Sequence, residues 1–189
     1  MGRFSSSIPE AGKSLTAANL AIAMAQSGTS TLLVDADLRR PTIHQLFGLT
    51  TRVGLTSALT RMDDWSSMLS AGPVENLTIM PSGPLPPNPS ELLSSAAMRR
   101  LIALTADRYD MVILDTPPVV AFTDGVALSQ AVDGTLLVVR ANFASRKVDI
   151  KAKELLVQVH ARILGIVFNG LPADDAAMAS YYYGYGEHP

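Results

Sequence analysis

The 189-residue chain contains no cysteine, which excludes a disulfide scaffold and any thiolate metal site. That absence is compatible with a reducing cytoplasm. No apolar run approaches the roughly 18–20 residues that a membrane-spanning helix needs. Nor is there an excess of one charge: the formal net charge is −2, so no field favours nucleic acid. The histidines His44, His160 and His188 are scattered without metal-ligand spacing, and no Gly-x-Ser-x-Gly elbow or internal repeat occurs. Aromatic residues make up only 6%, yet four of the five tyrosines, Tyr181, Tyr182, Tyr183 and Tyr185, fall in the last nine positions. An apolar fraction of 48% with 17% charged residues fits an ordinary globular chain, long enough for one full domain with a core.

Five apolar runs are predicted to be buried parallel strands: Thr31–Asp35, Leu77–Met80, Met111–Asp115, Thr135–Val139 and Ile163–Phe168. They are continuous rather than alternating, as expected where helices cover both sheet faces. Between them lie helical stretches. Ser14–Ser27 is rich in Ala and Leu and runs into Gly28, a suitable C′ residue. Lys13 with the apolar stretch to Ala25 imitates a signal peptide, but a helix behind a phosphate loop explains it better. Pro89–Ala106 opens with Asn88 as a cap and proline at the first helical position, and Thr123–Ala131 and Ser145–Val159 complete the set. Short helical turns are expected between Pro41 and Ser70. The fold class is therefore α/β, a mostly parallel central sheet with helices on both faces. One domain, residues 1–170, is expected, followed by a flexible tyrosine-rich tail over 171–189. Only Met1-Gly2-Arg3-Phe4 precedes the loop at Ser7, so the first strand is expected to be clipped or very short.

The chemistry gathers on one loop and two strand ends. A strict phosphate loop reads Gly-x4-Gly-Lys-Ser/Thr. Here Ser7 takes the first glycine position, and Gly12-Lys13-Ser14 is intact. Backbone N–H groups from Glu10 and Ala11 through Gly12 to Leu15 would wrap phosphates, helped by the helix N-terminus. Lys13 would reach the terminal phosphates and the Ser14 hydroxyl would ligate Mg2+. Asp35 and Asp37 stand where one strand gives way to a loop, two residues apart and so able to face the same way. Asp115 ends another strand, where a carboxylate holds Mg2+ directly or through water. Lysine, hydroxyl and carboxylates at the carboxyl ends of parallel strands make a site for Mg2+ and ATP. Arg39 and Arg40 either touch phosphate or a neighbouring subunit, or are solvated or paired. Asn169, before Gly170, either reads an adenine edge or forms an Asn-Gly turn. The tyrosine tail is either a set of phosphoacceptors or a docking patch.

Taken together, several segments resemble the cytoplasmic catalytic domain of the bacterial tyrosine kinases that govern capsular and exopolysaccharide synthesis. They are the Lys13-Ser14 loop, Leu32–Arg39 continuing into Arg40-Pro41, Asn76–Leu93 with its proline-rich turn, Arg108–Pro118, Thr123-Asp124 and the tyrosine tail. The resemblance implies a P-loop fold of the partition-ATPase kind, with ATP and Mg2+ as ligands. It implies that Lys13, Asp35 and Asp37 carry the catalysis, with Asp35 as base for a tyrosine hydroxyl. Ser14, Asp37 and Asp115 would hold the metal. Tyr181, Tyr182, Tyr183 and Tyr185 of one subunit would enter a neighbour's site. As partners it implies further copies of the chain, a membrane chain-length regulator, fused or separate, and a tyrosine phosphatase, all at the inner face of the plasma membrane. Ring assembly is implied only together with an N-terminal segment that the family carries. The family has Pro-Gly-Glu-Gly-Lys where this chain has Pro9-Glu10-Ala11-Gly12-Lys13, and losing that glycine costs the loop some freedom. Two other readings compete: a partition-type ATPase, whose signature lysine is Ile8 here, and a non-catalytic nucleotide-binding module of an export complex.

Overall fold

A computed structural model describes residues 2–6, 11–122, 124–141 and 146–171. Ser7, Glu10, Thr123 and the tyrosines Tyr181, Tyr182, Tyr183 and Tyr185 lie outside the described residues.

Among the described residues seven strands form one sheet: β1 Gly2–Ser6, β2 Thr31–Asp35, β3 Ser70–Ala71, β4 Leu77–Met80, β5 Met111–Asp115, β6 Gly134–Arg140 and β7 Ile163–Asn169, in the order β3-β4-β2-β5-β1-β6-β7. The first strand, with five residues like β2 and β5 rather than clipped as expected, sits at the centre, pairing with β5 on one side and β6 on the other. Every pairing is parallel except that of β3 with β4 at one edge. Strands β2, β4 and β5 have the predicted limits, while β6 and β7 run a residue or so further. The two-residue β3 has no sequence signature of its own.

The helices are α1 Lys13–Gln26, α2 Ile43–Leu46, α3 Leu55–Thr60, α4 Pro89–Ser94, α5 Ala96–Arg108, α6 Asp124–Leu128 and α7 Arg146–Gln158, with 3-10 turns at Met62–Met68 and Ser129–Ala131. Gly28 ends α1 as expected. Its φ is 89°, its N–H reaches the Ala25 carbonyl, and the Thr29 N–H reaches Met24, which satisfies two terminal carbonyls. The long helix expected from Pro89 to Ala106 is two helices. Ser95 leaves the helical region at ψ 161°, and its hydroxyl accepts the Met98 N–H at 3.1 Å, capping α5. Asn88 precedes α4 but does not cap it with its side chain; its amide donates to Glu91 at 2.6 Å instead.

Strand residues divide between two apolar layers. Leu33, Ile79, Ile113 and Val138 pack beneath the alanine face of α1, made by Ala17, Ala18, Ala21 and Ala25. Small side chains let α1 sit close to the sheet, which brings its N-terminus to the strand ends. Leu32, Val34, Val112 and Leu114 face the other way, against α3, Leu93 and α5. A third cluster seats Ala152 and Leu156 of α7 on Leu137 and Val139. Each fully buried Leu or Ile contributes about 1.5–3 kcal/mol. The carboxyl ends of β2 and β5 lie side by side, with Asp35 paired in register with Asp115. Among the described residues no helix is long and apolar enough to cross a membrane.

Candidate functional site

The site is built where α1 begins. Gly12 precedes the helix with φ 83°, a left-handed conformation that favours glycine, and among the described residues no side chain caps the helix. First-turn N–H groups have no intrahelical partner, so the backbone of Lys13, Ser14 and Leu15 is presented to an anion. The Leu15 side chain points to solvent, 53% exposed, so only its backbone serves the site.

Lys13 folds inward. Its Nζ donates to Asp115 Oδ1 at 2.6 Å, lies 3.8 Å from Asp37 Oδ2, and reaches the Ser14 hydroxyl at 3.3 Å. All three charged partners are buried. The fold thus brings Lys13, Ser14, Asp37 and Asp115 together. Asp35 stands beside them, with Oδ2 accepting the Ile43 N–H at 3.0 Å. Among the described residues its Oδ1 and Asp115 Oδ2 are buried with no hydrogen-bond partner.

Charges here do not balance. Three buried carboxylates face one ammonium. Burial, then the neighbouring Asp115, push Asp35 up to about 8, against a weaker downward pull from the Ile43 N–H. Burial likewise raises Asp115 above the ordinary carboxylate range, although Lys13 opposes it. A divalent cation would relieve the excess charge and the orphaned Asp115 Oδ2, so the residues fit Mg2+. Among the described residues no three acidic or histidine side chains converge into a metal cage. Mg2+ takes one or two carboxylates plus phosphate oxygens, so the donor set of Ser14, Asp37 and Asp115 suits it.

A model described as the NUBPL iron-transfer P-loop NTPase, of the ParA group, matches residues 10–172. Tyrosine-protein kinase YwqD of Bacillus subtilis (strain 168) is 42% identical over 177 residues, covering 94% of this chain and 75% of YwqD. The kinase domain of Escherichia coli tyrosine kinase ETK superposes with a TM-score of 0.86 at 34% identity, covering 90% of this chain and 67% of that domain. The chain belongs to the bacterial tyrosine-protein kinases. It spans 24% of the full-length kinase etk of Escherichia coli (strain K12). The septum site-determining protein MinD of Pyrococcus horikoshii, complexed with Mg-ADP, shares the fold alone, at TM-score 0.72 and 20% identity.

Two features of this kinase escape local sequence reasoning. Asn169 Oδ1 accepts the Gly170 N–H at 2.8 Å. Its amide also donates to the Ala11 carbonyl at 3.1 Å, tying the end of β7 to the phosphate loop. Arg39 is paired rather than solvated. It donates to Asp124 at 2.7 Å and to Ser90 at 2.9 Å, and lies 4.1 Å from the Phe122 ring centroid. Asp124 is buried, which would raise its carboxyl, but Arg39 and Ser90 together bring it below the ordinary value.

Gly12 gives the first prediction. A Cβ there would overlap Asn169 Nδ2. Gly12→Ala is expected to weaken ATP-analogue binding about tenfold or more, from the overlap plus ~1–2 kcal/mol of left-handed strain. Adding Asn169→Ala should recover part of that loss, because it removes the overlap and leaves the strain. Calorimetric titration of the single and double variants checks this; equal affinity in both would contradict the packing argument.

Proposed function

We propose that this kinase transfers the terminal phosphate of ATP to its own tail tyrosines, Tyr181, Tyr182, Tyr183 and Tyr185, in trans between subunits, and thereby regulates capsular or exopolysaccharide polymerisation and export. The observation that carries the proposal is the buried meeting of Lys13, Asp37 and Asp115 at the N-terminus of α1, with Asp35 beside it. YwqD and etk, named tyrosine-protein kinases, support the reading.

The chain's residues divide the work. N–H groups at the start of α1 hold phosphate oxygens, and Lys13 offsets charge on the transferring group. Ser14, Asp37 and Asp115 would hold Mg2+, which supplies further charge neutralisation when bound. The tyrosine oxygen forms a bond to the terminal phosphorus as the bridge to ADP breaks. Asp35 takes the phenolic proton at Oδ1, the oxygen with no other partner among the described residues. Asn169 holds the phosphate loop through the Ala11 carbonyl. Each phosphate adds about −1.5 to −2 charges, so a fully modified tail carries roughly −6 to −8. That repulsion would drive it out of a neighbour's site. Further copies of the chain, a membrane chain-length regulator and a tyrosine phosphatase complete the proposed setting at the inner membrane face.

The test mixes two variants with Mg2+ and ATP. One carries Lys13→Met with its tyrosines intact; the other has all four tail tyrosines changed to phenylalanine. Mass spectrometry is expected to find phosphotyrosine on the Lys13→Met chain, delivered by the second variant. Phosphate on the tail of wild type alone, with none in the mixture, would overturn transfer in trans.

A further inference from the structure

Arg39 is anchored at both ends. Its backbone N–H, with that of Arg40, points to Asp37 Oδ1 at 3.3 and 3.0 Å, which fixes how the Asp37 carboxylate is turned. At its other end the guanidinium holds Asp124 and Ser90 and stacks on Phe122. Asp124 is itself held by the Ser90 hydroxyl and has no exposed side-chain surface. Phe122 and Asp124 follow the segment that leaves Asp115, while Arg39 follows Asp37. The two acidic strand ends are therefore braced against each other outside the metal site, across 85 positions of sequence.

We infer that Asp124 is a positioning residue for magnesium: acting through Arg39, it holds the turn that aims Asp37 at Lys13 and the metal. This rests on the function proposed above. Groups that orient metal-binding carboxylates typically cost about 10–100-fold in metal affinity or activity when lost. A residue that only filled space would lower stability without changing how the site uses its cation.

The experiment follows binding of a fluorescent ATP analogue as Mg2+ is varied, using the full chain. Asp124→Asn is expected to raise half-saturating Mg2+ about tenfold, while analogue affinity at saturating Mg2+ changes less than about twofold. Arg39→Gln should do the same, and its side chain is 30% exposed, so it tests the brace even if Asp124→Asn does not fold. The double variant should match Arg39→Gln alone, because Asp124 acts only through that arginine. Effects that multiply in the double variant, or an unchanged Mg2+ requirement in both single variants, would overturn the inference. Loss of Mg2+-dependent binding in the wild type would instead overturn the proposed function.

Discussion

Lys13→Met is expected to lower phosphotyrosine formation about 10²–10³-fold, the cost typical of removing a preorganised group that faces developing charge. It should also reshape stability in a pH-dependent way. Lys13 pairs with Asp115 inside the protein, and breaking such a pair costs about 3–5 kcal/mol if the remaining charge stays ionised. Asp115 is already held above its ordinary range by burial, with Lys13 pulling it down. Without that pull its folded value rises further. The folded variant then binds a proton that the unfolded chain releases, so its stability falls as pH rises. The gap between wild type and variant should therefore be small in mild acid and widen toward pH 8. Urea unfolding at several pH values, beside mass spectrometry of the tail, reads both effects. A constant gap would mean that Asp115 does not sense Lys13.

Much of this follows from local pattern. The runs at Thr31–Asp35 and Met111–Asp115 are apolar up to an aspartate, so strand and site residue end together, and both limits could be read directly. Gly12-Lys13-Ser14 marks the start of α1 for the same reason. What escaped depends on distant contacts. Arg39 meets Asp124, and Asn169 meets Ala11, through chain reversals that spacing does not encode. The split at Ser95 is local, yet a helix former pattern on both sides conceals it. Strand β7 illustrates a different failure. Its apolar run predicts cover on both faces, but it is the sheet's edge, and Leu164, Ile166 and Phe168 are exposed among the described residues.

Asp35→Asn is expected to cut phosphotransfer about 10²–10⁴-fold, the range for loss of a general base, while making the metal-free protein more stable. The Asp35 carboxyl sits at about 8 in the fold against an ordinary 3.8. Between those values the unfolded chain gives up a proton that the folded chain keeps, so stability falls as pH rises and levels off only above pH 8. An upper bound on this cost is roughly 5–6 kcal/mol at 1.36 kcal/mol per unit. Asparagine carries no charge into the fold and its carbonyl can still accept the Ile43 N–H. A gain of about 2 kcal/mol at pH 8, or ~4–8 °C in Tm for a chain of this size, is the expected result. The gain should shrink toward pH 4 and reverse when Mg2+ and ATP are added, since only the wild-type carboxylate profits from a nearby cation. A variant melting at or below wild type at pH 8 without metal would show that Asp35 is not held in strain. Its activity loss would then need another cause than a base kept poised by burial.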